Sequence, residues 1–339
     1  MNHAPQSNEH NGAPVSPEPI LQMAFSFAPE RVLHATLTLN VYSHIARGHH
    51  SATDIAGAAE ASERGMKMLL DAAAVFGLIN KQGDSYDLTP MAQTFLVRES
   101  PAYIGAMIED PTIWNMWADL AECVKRGEGG WQVQEQHAAE SFFPTLIKSL
   151  HVLGYMPAQR MTQMLALPSG AHVLDVACGS AAWSIPFVEA DAQAHLTLQD
   201  YPGVLEHTKG YLTRHNVIEQ CDFLPGNLRE VDFGENKFDA VILGNIVHSE
   251  GPEHSQNLFS KLHYAIKLGG KIVIVDMIAN DDRTGPPFAL IFALNMLVAT
   301  KEGGTYSIAE YTNWLQGAGF SNVETLDVGI HSPLVVATK

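Results

Sequence analysis

The stretch Val173–Trp183, VLDVACGSAAW, decides the fold. An apolar, β-prone run carries Asp175 near its end, and Gly179 sits in the turn that follows. A glycine there lets backbone pass close to a ligand at the edge of an open α/β sheet. A complete GxGxxG would suggest a dinucleotide, but Ala177, Cys178 and Ala181 leave one glycine, and no Walker lysine follows. The loop is therefore not read as a phosphate cradle. Any tight strand-to-helix turn has a similar look, so the reading rests on what surrounds it.

Downstream, AHLTLQD (194–200), CDFLPG (221–226), FDAVILGN (238–245) and KIVIVDM (271–277) alternate with helical segments. That rhythm predicts a doubly wound parallel sheet of Rossmann-like α/β class. VETLDVG (323–329) and LVVATK (334–339) are separated by too few residues for a parallel crossover. They make an antiparallel final pair and bring the count to seven strands.

Upstream, from Pro19 to Leu165, the pattern is helical. SATDIAGAAE offers Ser51 or Thr53 as an N-cap, and ASERGMKMLLDAAAVFGL has apolar groups at helical spacing. LINKQGDSYDLT reads as a hairpin turning at Gln82-Gly83-Asp84. Together these give a winged-helix-like outline. Its recognition helix would offer DNA only Arg64 and Lys67, so a packing or dimerisation module is expected instead. The expected organisation is a disordered tail over 1–18, a helical domain over 19–155 and a ligand-binding domain over 156–339.

Acids outnumber Lys and Arg by 37 to 20, a formal charge of −17, which argues against nucleic acid or an anionic membrane as partner. Three cysteines, widely spaced, form no disulfide framework, and the N-terminus lacks an apolar signal-like core. The run FALIFALNMLVAT (288–300) is too short to span a bilayer. A cytoplasmic protein is expected. Sixteen histidines include no HExxH or Cys/His ligand spacing, so no metal is expected, and Asp281-Asp282 reads as a solvated turn.

The strand ends carry the chemistry. Asp200 closes the second strand, where an acid is suited to accept hydrogen bonds from ribose hydroxyls. Asn227 follows the third and can bond an adenine amino group. Gly244-Asn245 and then His248 follow the fourth. Four strands thus deliver polar groups to one rim, the place where ligands bind in open α/β sheets.

In order, the pieces are VLDVACGSAAW, QDYPGVLE, FLPGNL, FDAVILGNIVHSEGPEH, AIKLGGKIVIVDM and LNMLVATKEGGTYSIAEYTNWLQGAGF, preceded by WNMWADLAECVKRGE. From about residue 20 onward the chain resembles the class I, S-adenosylmethionine-dependent small-molecule O-methyltransferases, which include bacterial natural-product enzymes. The resemblance implies a winged-helix-like N-terminal domain that forms a homodimer, S-adenosylmethionine as cofactor, S-adenosylhomocysteine as product and a small-molecule methyl acceptor. Asp175 and Gly179 would lie around the methionine part. Asp200, with Tyr201, would hold the ribose, and Asn227 and Leu228 would flank the adenine. Asn245 would lie near the methionine end, and His248 falls where the family has its general base. Three departures stand out: Ala177 and Ala181 replace loop glycines, Asn227 replaces an aspartate, and Ser-Glu-Gly follows the histidine in place of Asp-Trp-Ser.

Methyl transfer from a sulfonium is an in-line displacement that needs orientation and an unprotonated nucleophile. A neutral imidazole at His248 suits removal of a hydroxyl proton near pH 7. Glu250 or Glu253 is expected to orient it, although both also read as acids complementing a helix N-terminus. A sulfur acceptor gives a different reading. Some relatives methylate a thioether acid, methylthiohydroxybutyrate, on the route to dimethylsulfoniopropionate; there His248 would only position the substrate. Such an acid would want an arginine, and Arg126, Arg160 and Arg283 are present. A third reading is a family member that binds the cofactor but has a non-methylating or regulatory role. Substrate-lining residues are expected from SLHVLGYMPAQRM and FALIFALNM: His151, Tyr155, Phe292, Asn295 and Met296. Asn295, an amide in an apolar helical run, requires a polar partner.

Overall fold

The computed structural model describes residues 15–131 and 135–339, except for the side chains of 141–145. The tail expected over 1–18 lies, up to residue 14, outside the described residues. The chain forms two compact units, Met1–Pro101 and Ala102–Lys339.

The first unit contains α1 (Glu18–Ala24), α2 (Phe27–Thr38), α3 (Val41–Ala46), α4 (Ala52–Ala58), α5 (Glu63–Val75), the hairpin β1 (Ile79–Gln82) and β2 (Ser85–Leu88), and α6 (Pro90–Phe95). Side-chain caps set the helix starts: Ser51 accepts from the Asp54 amide, Ser62 from Gly65 and Thr89 from Ala92. Ile55, Met66, Leu70 and Tyr86 are almost completely buried and form part of its core.

The second unit begins with three short helices, α7 (Gly105–Glu109), α8 (Thr112–Ala118) and α9 (Leu120–Arg126), followed by the long α10 (Gln136–Leu165). A domain boundary at residue 155, as the sequence suggests, would cut α10, which runs unbroken through that position and packs on α11 and α12 below. The remaining elements are β3 (His172–Val176), α11 (Ile185–Ala190), β4 (His195–Asp200), α12 (Pro202–Arg214), β5 (Cys221–Pro225), β6 (Phe238–Gly244), α13 (Val247–Ala265) and β7 (Ile266–Val275). Then come β8 (Ile278–Ala279), α14 (Pro287–Ala299), β9 (Tyr306–Ser307), α15 (Ile308–Gly317), β10 (Ser321–Leu326) and β11 (Leu334–Thr338).

Seven strands form one sheet in the order β10-β11-β7-β6-β3-β4-β5. The pairs β7–β6, β6–β3, β3–β4 and β4–β5 are parallel, whereas β11 runs antiparallel to both β7 and β10. The fold is therefore the expected mixed α/β one with its antiparallel last pair. Val173, Leu174, Leu196, Leu198, Val241 and Ile242 have no exposed surface, because helices cover both faces. The carboxyl ends of β3, β4, β5, β6 and β7 share one rim, and the site is built there.

Candidate active site

The turn after β3 alternates left-handed residues: Ala177 at φ 53°, Gly179 at φ 53° and Ala181 at φ 57°. Two of the three carry a Cβ that this conformation disfavours by about 1 kcal/mol or more. Tertiary bonds hold them. The buried Gln199 amide accepts from the Ala177 amide (3.1 Å) and donates to the Gly226 carbonyl (2.7 Å), tying the turns after β3 and β5 together. Thr208 donates to the Gly179 carbonyl at 2.6 Å. The sequence signal for Gln199 is a polar side chain beside Asp200 at the end of a buried strand.

Asp200, at the end of β4, accepts the Gly179 amide on Oδ2 (2.9 Å) and the Tyr201 amide on Oδ1 (2.7 Å). Burial pushes its carboxyl up to about 6 against the pull of these two bonds. After β5, Asn227 Oδ1 accepts from the Arg229 amide at 2.9 Å. After β6, Asn245 takes φ 59° and donates its amide to the Val275 carbonyl at 2.8 Å. Gly179, Asp200, Tyr201, Asn227, Leu228 and Asn245 all line one cavity on the rim. Asp175 does not line it. The carboxyl is 2 % exposed, accepts from Ser184 Oγ at 2.6 Å, and is pushed by burial up to about 8. Its place is beneath the loop, fixing β3 to the start of α11.

α13 is broken where Gly251 adopts φ 73°, just before Pro252. A Cβ at Gly251 would meet Glu302 Cβ at 2.8 Å, so glycine serves both the turn and the contact. The break sets Val247–Glu250 apart as an opening turn. Within it His248 is 7 % exposed, and its Nδ1 lies 2.6 Å from Asp276 Oδ1. Asp276, next after β7, also accepts the His248 amide (3.0 Å), the Tyr311 hydroxyl (3.0 Å) and the Met277 amide (2.8 Å). The Phe292 ring meets the imidazole edge-on with centroids 5.0 Å apart. A carboxylate only accepts, so Nδ1 carries a proton, and in the neutral imidazole the lone pair is on Nε2.

The expectation that Glu250 or Glu253 orients His248 is corrected. Residues two apart on a helix do not face each other. Glu250 lines the cavity and accepts from Arg229 Nε at 2.7 Å, while Glu253 is exposed beyond the Gly251 break. Asp276 is the partner.

The substrate-lining set divides. Phe292 stands against His248. Asn295 finds its polar partner in Trp117, whose Nε1 donates to Asn295 Oδ1 at 2.9 Å, and Met296 is buried. His151 and Tyr155 do not line the cavity. Ile147 and Leu150 of the same helix do. His151 instead stacks with Tyr155 and Tyr211, and its Nδ1 bonds Ser180 Oγ at 3.0 Å. Burial, with His215 and Arg214 nearby, holds its imidazole down to about 4. No group of three or more His, Cys, Asp or Glu among the described residues is placed to hold a metal ion. No helix among them is long and apolar enough to cross a membrane.

A family model of the O-methyltransferase domain matches residues 117–321, and one of the O-methyltransferase dimerisation domain matches residues 21–98. The chain belongs to the O-methyltransferase family. This O-methyltransferase is 28 % identical to the tetracenomycin polyketide synthesis 8-O-methyl transferase of Streptomyces glaucescens, over 95 % of this chain and 97 % of the relative. A crystal structure of a proposed O-methyltransferase from Nostoc punctiforme aligns over 96 % of this chain and all of its own, with TM-score 0.88 and 29 % identity. Human N-acetylserotonin methyltransferase, solved with S-adenosylmethionine, shares the fold at TM-score 0.84 over 97 % of this chain and 99 % of its own, with 22 % identity.

The Asp200 carboxyl makes the stability of this O-methyltransferase depend on pH. Unfolded, the group ionises near 3.8; folded, near 6. Between those values the folded state binds more protons, so stability falls as pH rises through the window. Asp200→Asn is expected to flatten that slope while lowering the melting temperature, because its NH₂ must face one of the two backbone amides. Thermal melts from pH 4 to 7 check it; an unchanged slope would refute the assignment.

Proposed function

We propose that the chain moves the methyl group of S-adenosylmethionine to an oxygen of a small molecule, with His248 as general base. The observation that carries this reading is the His248–Asp276 pair, which orients the imidazole one residue before the cavity-lining Ser249. The cavity suits the cofactor on chemical grounds. Both Asp200 oxygens are fixed by backbone amides and retain lone pairs for a vicinal diol. The alanine-bearing loop has no phosphate to cradle, and Leu228 gives an apolar wall beside the Asn227 amide.

Bound S-adenosylmethionine supplies an electrophilic methyl on a sulfonium, and S-adenosylhomocysteine is the leaving group. The protein's part is to hold and to deprotonate. Gly179, Asn245 and Ser249 would hold the methionine end, Asp200 and Tyr201 the ribose, and Asn227 and Leu228 the adenine. His248 Nε2 takes the acceptor's proton as the methyl arrives, and Asp276 stabilises the imidazolium that results. A thioether acceptor has no proton to give, and Arg160 and Arg283 are already bonded, to the Val328 carbonyl and to Thr305 and Glu310. The dimerisation-domain match supports a second copy of the chain as partner.

The test is incubation with methyl-labelled S-adenosylmethionine and a panel of phenols, alcohols, thiols and thioether acids. Label on a hydroxyl substrate supports the reading. Label on thioether acids alone would replace it with S-methylation. Cofactor binding with no transfer to any acceptor would favour a non-methylating role.

A further inference from the structure

Trp183 is a half-buried indole in the wall of the cofactor cavity, and the chain makes room for it on two sides. A Cβ at Gly244, the last residue of β6, would lie 2.7 Å from its Cδ1. One at Gly154 on α10 would lie 3.2 Å from its Nε1. Two glycines on separate elements thus fit one side chain. Among the described residues, no hydrogen bond engages the indole N–H. Mere core filling does not require an aromatic ring at a cavity wall with its one polar atom unpaired.

Position fixes what the ring would meet. The cavity runs along the rim from β6, past β3 and β4, to β5. With ribose at Asp200 and adenine at Asn227, the β6 end is left for the sulfonium and the amino-acid part. Trp183 stands there, beside Gly244.

We infer that Trp183 is the residue that distinguishes the charged methyl donor from its neutral product, by holding its indole against the sulfonium. This rests on the cofactor reading above. An indole attracts a cation within about 6 Å of its ring through its quadrupole, and the thioether left after transfer has no such charge. The interaction weakens once the methyl has left, which favours exchange of product for donor.

The experiment is calorimetry of the wild type, Trp183→Leu and Trp183→Phe with S-adenosylmethionine and, separately, S-adenosylhomocysteine. For Trp183→Leu the donor Kd is expected to rise by about three- to thirty-fold while the product Kd stays within about two-fold. Trp183→Phe, with a weaker ring, should fall between. Thermal melts establish that the variants are folded. Wild-type tryptophan emission should respond more to donor than to product, and Trp183→Phe should lose that difference. If donor and product weaken in step, or neither changes, Trp183 only packs and the inference is overturned while the cofactor reading stands. A wild type that binds neither molecule overturns both.

Discussion

His248→Ala is expected to lower kcat on a hydroxyl acceptor by about 10²–10⁴-fold at pH 7 and to leave the cofactor Kd within about two-fold. The split follows from geometry: His248 does not line the cofactor cavity, whereas its neighbours Ser249 and Glu250 do. The imidazole's task is to accept a proton, so the loss should shrink as pH rises and the acceptor ionises without help. A kcat–pH profile of both proteins, on a phenol and an aliphatic alcohol, tests this. Full activity of the variant on either at pH 7 would remove His248 from the proton transfer.

Asp276→Asn is the second large effect, and it should appear in both stability and rate. The carboxylate takes His248 Nδ1 and the Met277 amide on one oxygen, and the His248 amide and Tyr311 hydroxyl on the other. An asparagine must turn an NH₂ toward one of these sets of donors. If it meets Nδ1, the imidazole must shift its proton to Nε2 and loses its lone pair toward the acceptor. The expected rate loss is about 10²–10³-fold, and smaller for more acidic acceptors. Stability should fall by about 2–4 kcal/mol, because buried donors are left facing donors. Tyr311→Phe is the control. It removes one bond to Asp276 and frees none of the imidazole, so it should cost about 1 kcal/mol of stability and little rate. Asp276 is thus a positioning residue. A normal pH profile in Asp276→Asn, with activity lost only through unfolding, would reduce it to a structural role.

Much of this was readable from the chain because the sheet is covered on both faces. Strands such as HVLDV and FDAVILG are then mostly apolar, and polar groups gather at their carboxyl ends. Asp200, Asn227 and Asn245 were found that way. The same rule applied once more, to KIVIVDM, would have found Asp276. Within His248's own helix, Glu250 instead pairs with Arg229 and Gly251 breaks the turn. His151 and Tyr155 fall outside the cavity for another reason. His151 packs on Tyr211 of α12 and on His215 just after it, contacts far along the chain that no local pattern encodes. Its own helix, α10, hides the boundary of the second unit, because a change from helix-rich to strand-rich sequence is not a change of body when one helix packs on the sheet layer.

The alanines at 177 and 181 have a consequence for how the cavity meets its ligand. Glycine in those places would relax the backbone, yet it would also give the unbound loop many more shapes to abandon on binding. Alanine narrows that choice before any ligand arrives, at the cost of some fold stability. The loop is therefore a preset template rather than a wrapping one. Ala177→Gly with Ala181→Gly should bind the same ligand with a less favourable entropy, which calorimetry reads directly, and a more favourable entropy would contradict it.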